Sequence, residues 1–139
     1  MEWKKDNYTV STDKSRLSLD TVHGFLSQKS YWAQGRTREQ VAKSFESSIC
    51  FGIYDGDEQA GFARVVTDYA TFYWLCDVFV AEEYRGNGLG KWLIECITGF
   101  DELKEIKGLL ATRDADGLYE KYGFKRVPAD NTIFMRTNI

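Results

Sequence analysis

Positive charge is in short supply in this chain. Its 139 residues carry 18 Lys and Arg against 21 Asp and Glu, a formal net charge of −3. A protein that grips a phosphate backbone needs clustered Lys and Arg to displace counterions, so the balance argues against a nucleic-acid partner. Histidine occurs once, too rarely for the usual mixed ligand sets, and no metal site is expected. The three cysteines, Cys50, Cys76 and Cys96, are odd in number, widely spaced and set in apolar runs without a C-x-x-C pair. They read as reduced, buried thiols of a cytoplasmic protein. No stretch is long and apolar enough to span a bilayer. The opening Met1–Asp6 lacks the apolar segment of a signal peptide, so no membrane partner is expected. Proline occurs once, against 12 glycines.

What remains is an ordinary soluble composition, 43% hydrophobic and 28% charged, on a length that predicts one domain over residues 1–139. Aromatic residues reach 15%. That load suggests rings lining a pocket as well as a core.

Along the chain, Tyr8–Ser11 can form a first strand. Leu19, Val22, Phe25 and Leu26 repeat at helical spacing behind Ser18 or Asp20 as cap. Thr37 and Gln40 form a capping box ahead of Val41, Phe45 and Ile49. Ile49–Tyr54 and Ala60–Val66 flank the hairpin turn Asp55-Gly56-Asp57, and Asp68-Tyr69-Ala70 turns the chain again. Phe72–Val80 is apolar throughout except for Asp77, the pattern of a central strand covered on both faces. Leu89, Trp92, Leu93, Cys96, Ile97 and Phe100 step by three and four as a helix. Leu109–Ala111 is a short strand, and Ala115–Tyr122 a short helix stopped by Gly123. Phe124–Val127 and Ile133–Arg136 can close the sheet as a final strand pair. The order β-α-α-β-β-β-α-β-α-β-β predicts a mixed α/β (α+β) fold, a mostly antiparallel sheet flanked by helices.

Between the central strand and the third helix lies Arg85-Gly86-Asn87-Gly88-Leu89-Gly90-Lys91. A helix start offers amides without internal partners at the positive end of the helix dipole. Glycines there let a pyrophosphate approach the backbone, and Arg85 and Lys91 add charge without a metal. The loop is not a Walker A, because Arg85 stands where the first Gly belongs and Trp92 where Ser or Thr must bind Mg²⁺. It is not the dinucleotide pattern G-x-G-x-x-G either, since position 91 is Lys and the loop follows hairpins rather than a first parallel strand.

What is left, R-G-x-G-x-G after Val78-x-Val80 and Glu83-Tyr84, resembles the signature of the GCN5-related N-acetyltransferases, the GNAT superfamily. A second segment agrees: Ala115-x-x-Leu118-Tyr119-Glu120-Lys121-Tyr122-Gly123-Phe124 is similar to that family's A-x-x-[FL]-Y-x-K-x-G-F. The resemblance implies acetyl-CoA as acyl donor, with no metal. Its pyrophosphate would lie on the amides of Arg85, Gly86, Asn87, Gly88, Leu89, Gly90 and Lys91. Its pantetheine arm would lie along the backbone of Val78, Phe79 and Val80, as an extended chain adds to a sheet edge. Tyr119 aligns with the tyrosine that protonates the departing thiolate, chemistry that a phenol suits. Thr112 stands where many relatives carry Asn.

The base that accepts the amine proton is open among Asp77, Glu82, Glu83, His23 and water. Asp77 leads, because a carboxylate in an apolar strand has a raised pKa if it is unpaired. Tyr31, Trp32, Tyr73 and Trp74 are candidates to line the acceptor cleft, favouring a small, partly apolar or cationic amine. The expected reaction is direct acetyl transfer to a small-molecule amine in a ternary complex. A non-catalytic acyl-CoA sensor of the same fold is the alternative. Dimers are common among similar folds, so a homodimer fits the resemblance.

Overall fold

A computed structural model describes residues 1–128 and 133–136. Among these residues, six strands form one sheet in the order β1 to β6: Glu2–Lys5, Tyr8–Ser11, Ile49–Asp55, Glu58–Thr67, Phe72–Val80 and Lys107–Leu110. Four α-helices among the described residues connect or follow them: α1 (Leu19–Gln28), α2 (Arg38–Glu46), α3 (Leu89–Thr98) and α4 (Asp116–Glu120). Every neighbouring pair is antiparallel except β5 and β6, which run parallel across α3.

Local chemistry accounts for most of these boundaries. Ser18 accepts a hydrogen bond from the Thr21 amide at the start of α1, and the Thr37–Gln40 capping box closes the start of α2. The β3–β4 hairpin turns at Gly56, whose φ of 60° suits a residue without a Cβ. In the β4–β5 turn one Asp68 oxygen accepts from the amides of Ala70 and Thr71 at 2.9 and 2.8 Å. The Thr71 hydroxyl, which donates to the other oxygen, and then these amides hold the exposed Asp68 carboxyl well below the usual carboxylate range.

The sheet carries helices on both faces. On one side α3 buries Leu93, Ile94 and Ile97 against Phe51, Ile53, Val65 and Leu75. On the other, Val22, Leu26 and Val41 of α1 and α2 pack on Cys50, Phe62 and Phe79. The mixed α/β architecture with helices flanking a twisted, mostly antiparallel sheet is thus as the sequence predicts.

The element order differs at both ends. The first strand is Glu2–Lys5, which pairs with Tyr8–Ser11 from Glu2↔Ser11 to Lys5↔Tyr8. Its charged sequence shows no strand pattern because it forms the sheet's outer edge, where only Trp3 reaches the core. The closing strand pair is corrected: Phe124–Val127 and Ile133–Arg136 join no strand. Phe124 and Val127 are three apart, so a strand would put them on opposite faces. Arg126 between them instead pairs with Asp116 of α4.

Candidate active site

The site begins where β6 stops. β5 and β6 pair from Phe72↔Lys107 to Leu75↔Leu110, and β6 ends there. β5 runs on to Val80 with β4 on one side and an open edge on the other. Val78, Phe79 and Val80 therefore lie on an exposed strand edge, the place predicted for them. Their side chains do other work. Phe79 is buried and stacks on Phe25 at 4.1 Å, while Val78 and Val80 pack towards α3. The Val80 carbonyl accepts from Arg85 Nε at 3.1 Å, tying the loop back to the strand.

A β-bulge sets the direction of the side chains around this gap. Phe62 pairs with Phe79 and Arg64 with Cys76, so two residues of β5, Asp77 and Val78, oppose Ala63 alone. Asp77 takes a φ of 56° to allow it. The extra residue reverses the alternation. Before the bulge, Tyr73 and Leu75 point to the α3 core; after it, Phe79 points to the α1–α2 core. Cys76 and Asp77 consequently face the same side, towards the loop joining α1 and α2.

There Asp77 is 4% exposed and fully engaged. Its Oδ1 accepts from Trp32 Nε1 at 3.0 Å, and its Oδ2 from Arg36 Nη1 at 2.8 Å and Arg64 Nε at 2.9 Å. The premise for Asp77 as a base was an unpaired carboxylate, and that condition is not met. Two guanidinium groups and an indole N–H hold it as an anchor. Of the other base candidates, Glu82 and Glu83 sit exposed on a short 3₁₀ turn. His23 bonds through Nε2 to the Arg36 carbonyl at 3.1 Å and fastens α1 to the following loop.

A cavity of about 540 Å³ occupies the gap. Trp74, Cys76, Asp77 and Val78 of β5 form one wall, and Leu110 to Ala115 with Tyr119 form the other. Tyr31, Trp32, Arg36 and Arg64 close the side towards α1 and α2. Tyr31, Trp32 and Trp74 thus meet Tyr119 around one space. Tyr73 does not: it faces the α3 core, where its ring stands 2.3 Å from the place a Cβ on Gly108 would occupy. The side chains of Tyr73 and Trp74 leave opposite faces of β5, so Tyr73 turns away from the wall that Trp74 forms. This corrects the assignment of Tyr73.

Tyr119 is 9% exposed and borders both this cavity and a second one, of about 560 Å³, beneath Tyr122 and Phe124. Burial, with Tyr31 nearby, pushes its phenol up to about 12, so at neutral pH it is a proton donor. Thr112 Oγ1 accepts from the Ala115 amide at 3.1 Å and so shapes the entry to α4. Cys76 is pushed up to about 11 by burial, so the folded chain favours its neutral thiol.

The glycine loop sits beyond the open edge of β5. Gly86 and Gly88 take φ values of 88° and 74°, and Gly88 is the N-cap of α3 in the left-handed region. Asn87 Nδ2 donates to the Tyr84 carbonyl at 2.9 Å and closes the turn. Unlike α1 and α2, α3 starts with no side-chain cap, so the first-turn amides of Leu89, Gly90 and Lys91 keep their donors. Leu89 turns its side chain into the core and offers only its backbone. Gly90 has ordinary φ, and a Cβ there would meet nothing closer than Val80 Cγ2 at 3.9 Å. The fold does not require a glycine at that position.

A family model described as an acetyltransferase (GNAT) domain matches residues 46–126. The chain belongs to the GNAT acetyltransferase family. It is an N-acetyltransferase. A Gibberella zeae protein assigned as an acetyltransferase is 30% identical to it over 86% of this chain and 79% of that protein. The peptidyl-lysine N-acetyltransferase of Salmonella typhimurium is 30% identical over 79% of this chain and 71% of that one. Among solved structures, a GNAT-family protein of Xanthomonas campestris superposes with a TM-score of 0.91 at 38% identity, covering 97% of this chain and 96% of its own. A Deinococcus radiodurans structure shares the fold at 20% identity, with a TM-score of 0.74 over 98% of this chain and 93% of its own.

Three residues that line the cavity went unread in the sequence: Arg36, Arg64 and Arg113. Arg64 did leave a signal, as the one charge within Ala60–Val66, beside a strand whose one charge is Asp77. Two lone opposite charges in neighbouring apolar strands are a pairing pattern. Arg36 and Arg113 lie in loops, where an arginine is unremarkable.

Proposed function

We propose that this N-acetyltransferase takes acetyl-CoA as its donor and passes the acetyl group directly to a small-molecule amine in a ternary complex. The observation that carries the reading is the open edge of β5, which leads from the Tyr119 cavity to the uncapped start of α3. An extended amide chain can pair with that edge as an added strand, and a pyrophosphate can lie on the loop amides. The chemistry then follows the geometry. The amine nitrogen forms a bond to the thioester carbonyl carbon, the C–S bond breaks, and the Tyr119 O–H protonates the departing thiolate. The amine proton passes to water in the cleft, because Asp77 is committed to its three donors. Tyr31, Trp32 and Trp74 shape the acceptor end, and a space of about 540 Å³ suits a small acceptor. The three unbridged thiols suit a reducing compartment such as the cytoplasm.

Thermal unfolding with and without acetyl-CoA or CoA tests the donor, because a ligand that binds only the folded chain raises its melting temperature. Thiol release across a panel of amines, peptides and aminoglycosides tests the acceptor. A melting temperature unmoved by saturating acetyl-CoA would overturn the reading.

A further inference from the structure

Among the described residues, the acceptor end of the cleft carries more positive charge than its one buried carboxylate can balance. Arg36 and Arg64 share the single Oδ2 of Asp77, while Oδ1 is taken by the neutral Trp32 indole. Their side chains are only 25% and 16% exposed. Arg36 gives one bond to Asp77; Arg64 gives one to Asp77 and one to Ser48 Oγ at 3.1 Å. A guanidinium has five N–H donors in a fixed fork, so both keep donors to spare. Both also border the 540 Å³ cavity and a neighbouring one of about 440 Å³, with Trp32 between them. At the mouth of the first cavity Arg113 lies over the Tyr31 ring at 3.8 Å. The other carboxylate on that lining, Asp114, is exposed to solvent.

Partly buried guanidinium groups left in excess are costly unless an anion answers them, and their fork matches a carboxylate or phosphate. They also repel an acceptor whose only charge is positive. Resting on the acetyl-CoA reading above, we infer that the acceptor is a small amine that also carries an anionic group, held by Arg36 and Arg64 while its amine reaches towards Tyr119. Asp77 is then the positioning residue that aims both guanidinium groups. This replaces the small, partly apolar or cationic amine that the aromatic residues alone favour.

The test uses matched amines that differ only in the anion: 4-aminobutyrate against 4-aminobutyramide, and phosphoethanolamine against ethanolamine. A lysine-containing peptide is the third arm. Thiol release from acetyl-CoA is followed in the unaltered protein and in Arg36→Gln and Arg64→Gln, with circular dichroism to show that each variant folds. Melting with acetyl-CoA is run alongside. An anionic member is expected to exceed its neutral partner in kcat/KM by about tenfold or more, as charge-assisted hydrogen bonds imply. The ratio is expected to fall towards one in Arg36→Gln, the more exposed and better tolerated change. Which pair shows the preference tells carboxylate from phosphate. Equal or better use of the neutral members, a preference for the peptide, or acetylation of none of the amines overturns the inference. So does a preference that survives in Arg36→Gln. If any of these results comes with melting that still responds to acetyl-CoA, the donor reading stands. Loss of that response overturns the donor reading instead.

Discussion

Tyr119 owes its proposed role to burial. Closed in by α4, Phe124 and the cleft wall, its phenol is pushed up to about 12, so it carries its proton throughout the neutral range. Tyr119→Phe keeps the ring and removes the donor. Turnover should fall by about a hundredfold, the lower end of what a positioned general acid supplies, with little change in the KM for acetyl-CoA. Steady-state thiol release reads both quantities, and equal turnover would remove Tyr119 from the mechanism. The glycines of the loop separate conformation from contact in the same way. Gly88→Ala forces a left-handed residue with a Cβ at φ 74° and should lower stability by about 1 kcal/mol. Gly90→Ala has ordinary φ and open space, so the protein should melt no lower, yet acetyl-CoA should bind more weakly. Melting curves with and without acetyl-CoA measure both. Unchanged acetyl-CoA binding in Gly90→Ala would leave that glycine without a role in the site.

At the level of elements, the bulge in β5 decides more than any single side chain. One extra residue opposite Ala63 turns Asp77 away from the α3 core and towards Trp32, Arg36 and Arg64. The sequence could show that Asp77 was an odd charge in an apolar strand. It could not show which face the residue occupied, because the alternation that assigns faces is reversed at that very position. Tyr73 was misplaced for a related reason: read with Trp74 as one aromatic run, it is sent to the other face by the period of two, while Trp74 lines the cavity. Asp77→Ala leaves two guanidinium groups, 16% and 25% exposed, without their carboxylate. We expect a loss of about 3 kcal/mol in urea denaturation, as for a buried ion pair with one partner removed. A loss under about 0.5 kcal/mol, the level of an ordinary surface substitution, would mean that the network does not hold the loop.

Across the whole molecule, buried thiols and phenols tie stability to pH. Burial raises Cys50 and Cys76 from 9.0 to about 11 and Cys96 from 9.0 to about 12. It raises Tyr54 and Tyr119 from 10.0 to about 12. In each case the folded state favours the neutral form. The stability they contribute is therefore complete below pH 9, the unfolded thiol value, and is lost as pH rises through 11 to 12. Melting temperature should hold steady up to about pH 9 and fall steeply above it. A flat profile from pH 9 to 11 would contradict the burial of these groups.

Wherever a feature is local, the residues already specify it. The Thr37–Gln40 box, the Asp55–Asp57 hairpin, the apolar stripe of α3 and the glycine loop each depend on spacings of a few residues, and all stand where they were predicted. The family, too, was legible from two short motifs. The cleft was not, because it is made by an ending: β6 stops at Leu110 while β5 continues, and no local pattern says where a partner strand will stop. Its charge was hidden as well. Arg36, Arg64 and Asp77 are separated by 28 and 13 residues along the chain, and only the packed sheet and loop bring them onto one carboxylate. The scarcity of positive charge argued against a nucleic-acid partner, but a whole-chain count is blind to position. Two guanidinium groups in a half-buried cleft feel one another and any entering anion far more strongly than the same charges spread over a wet surface.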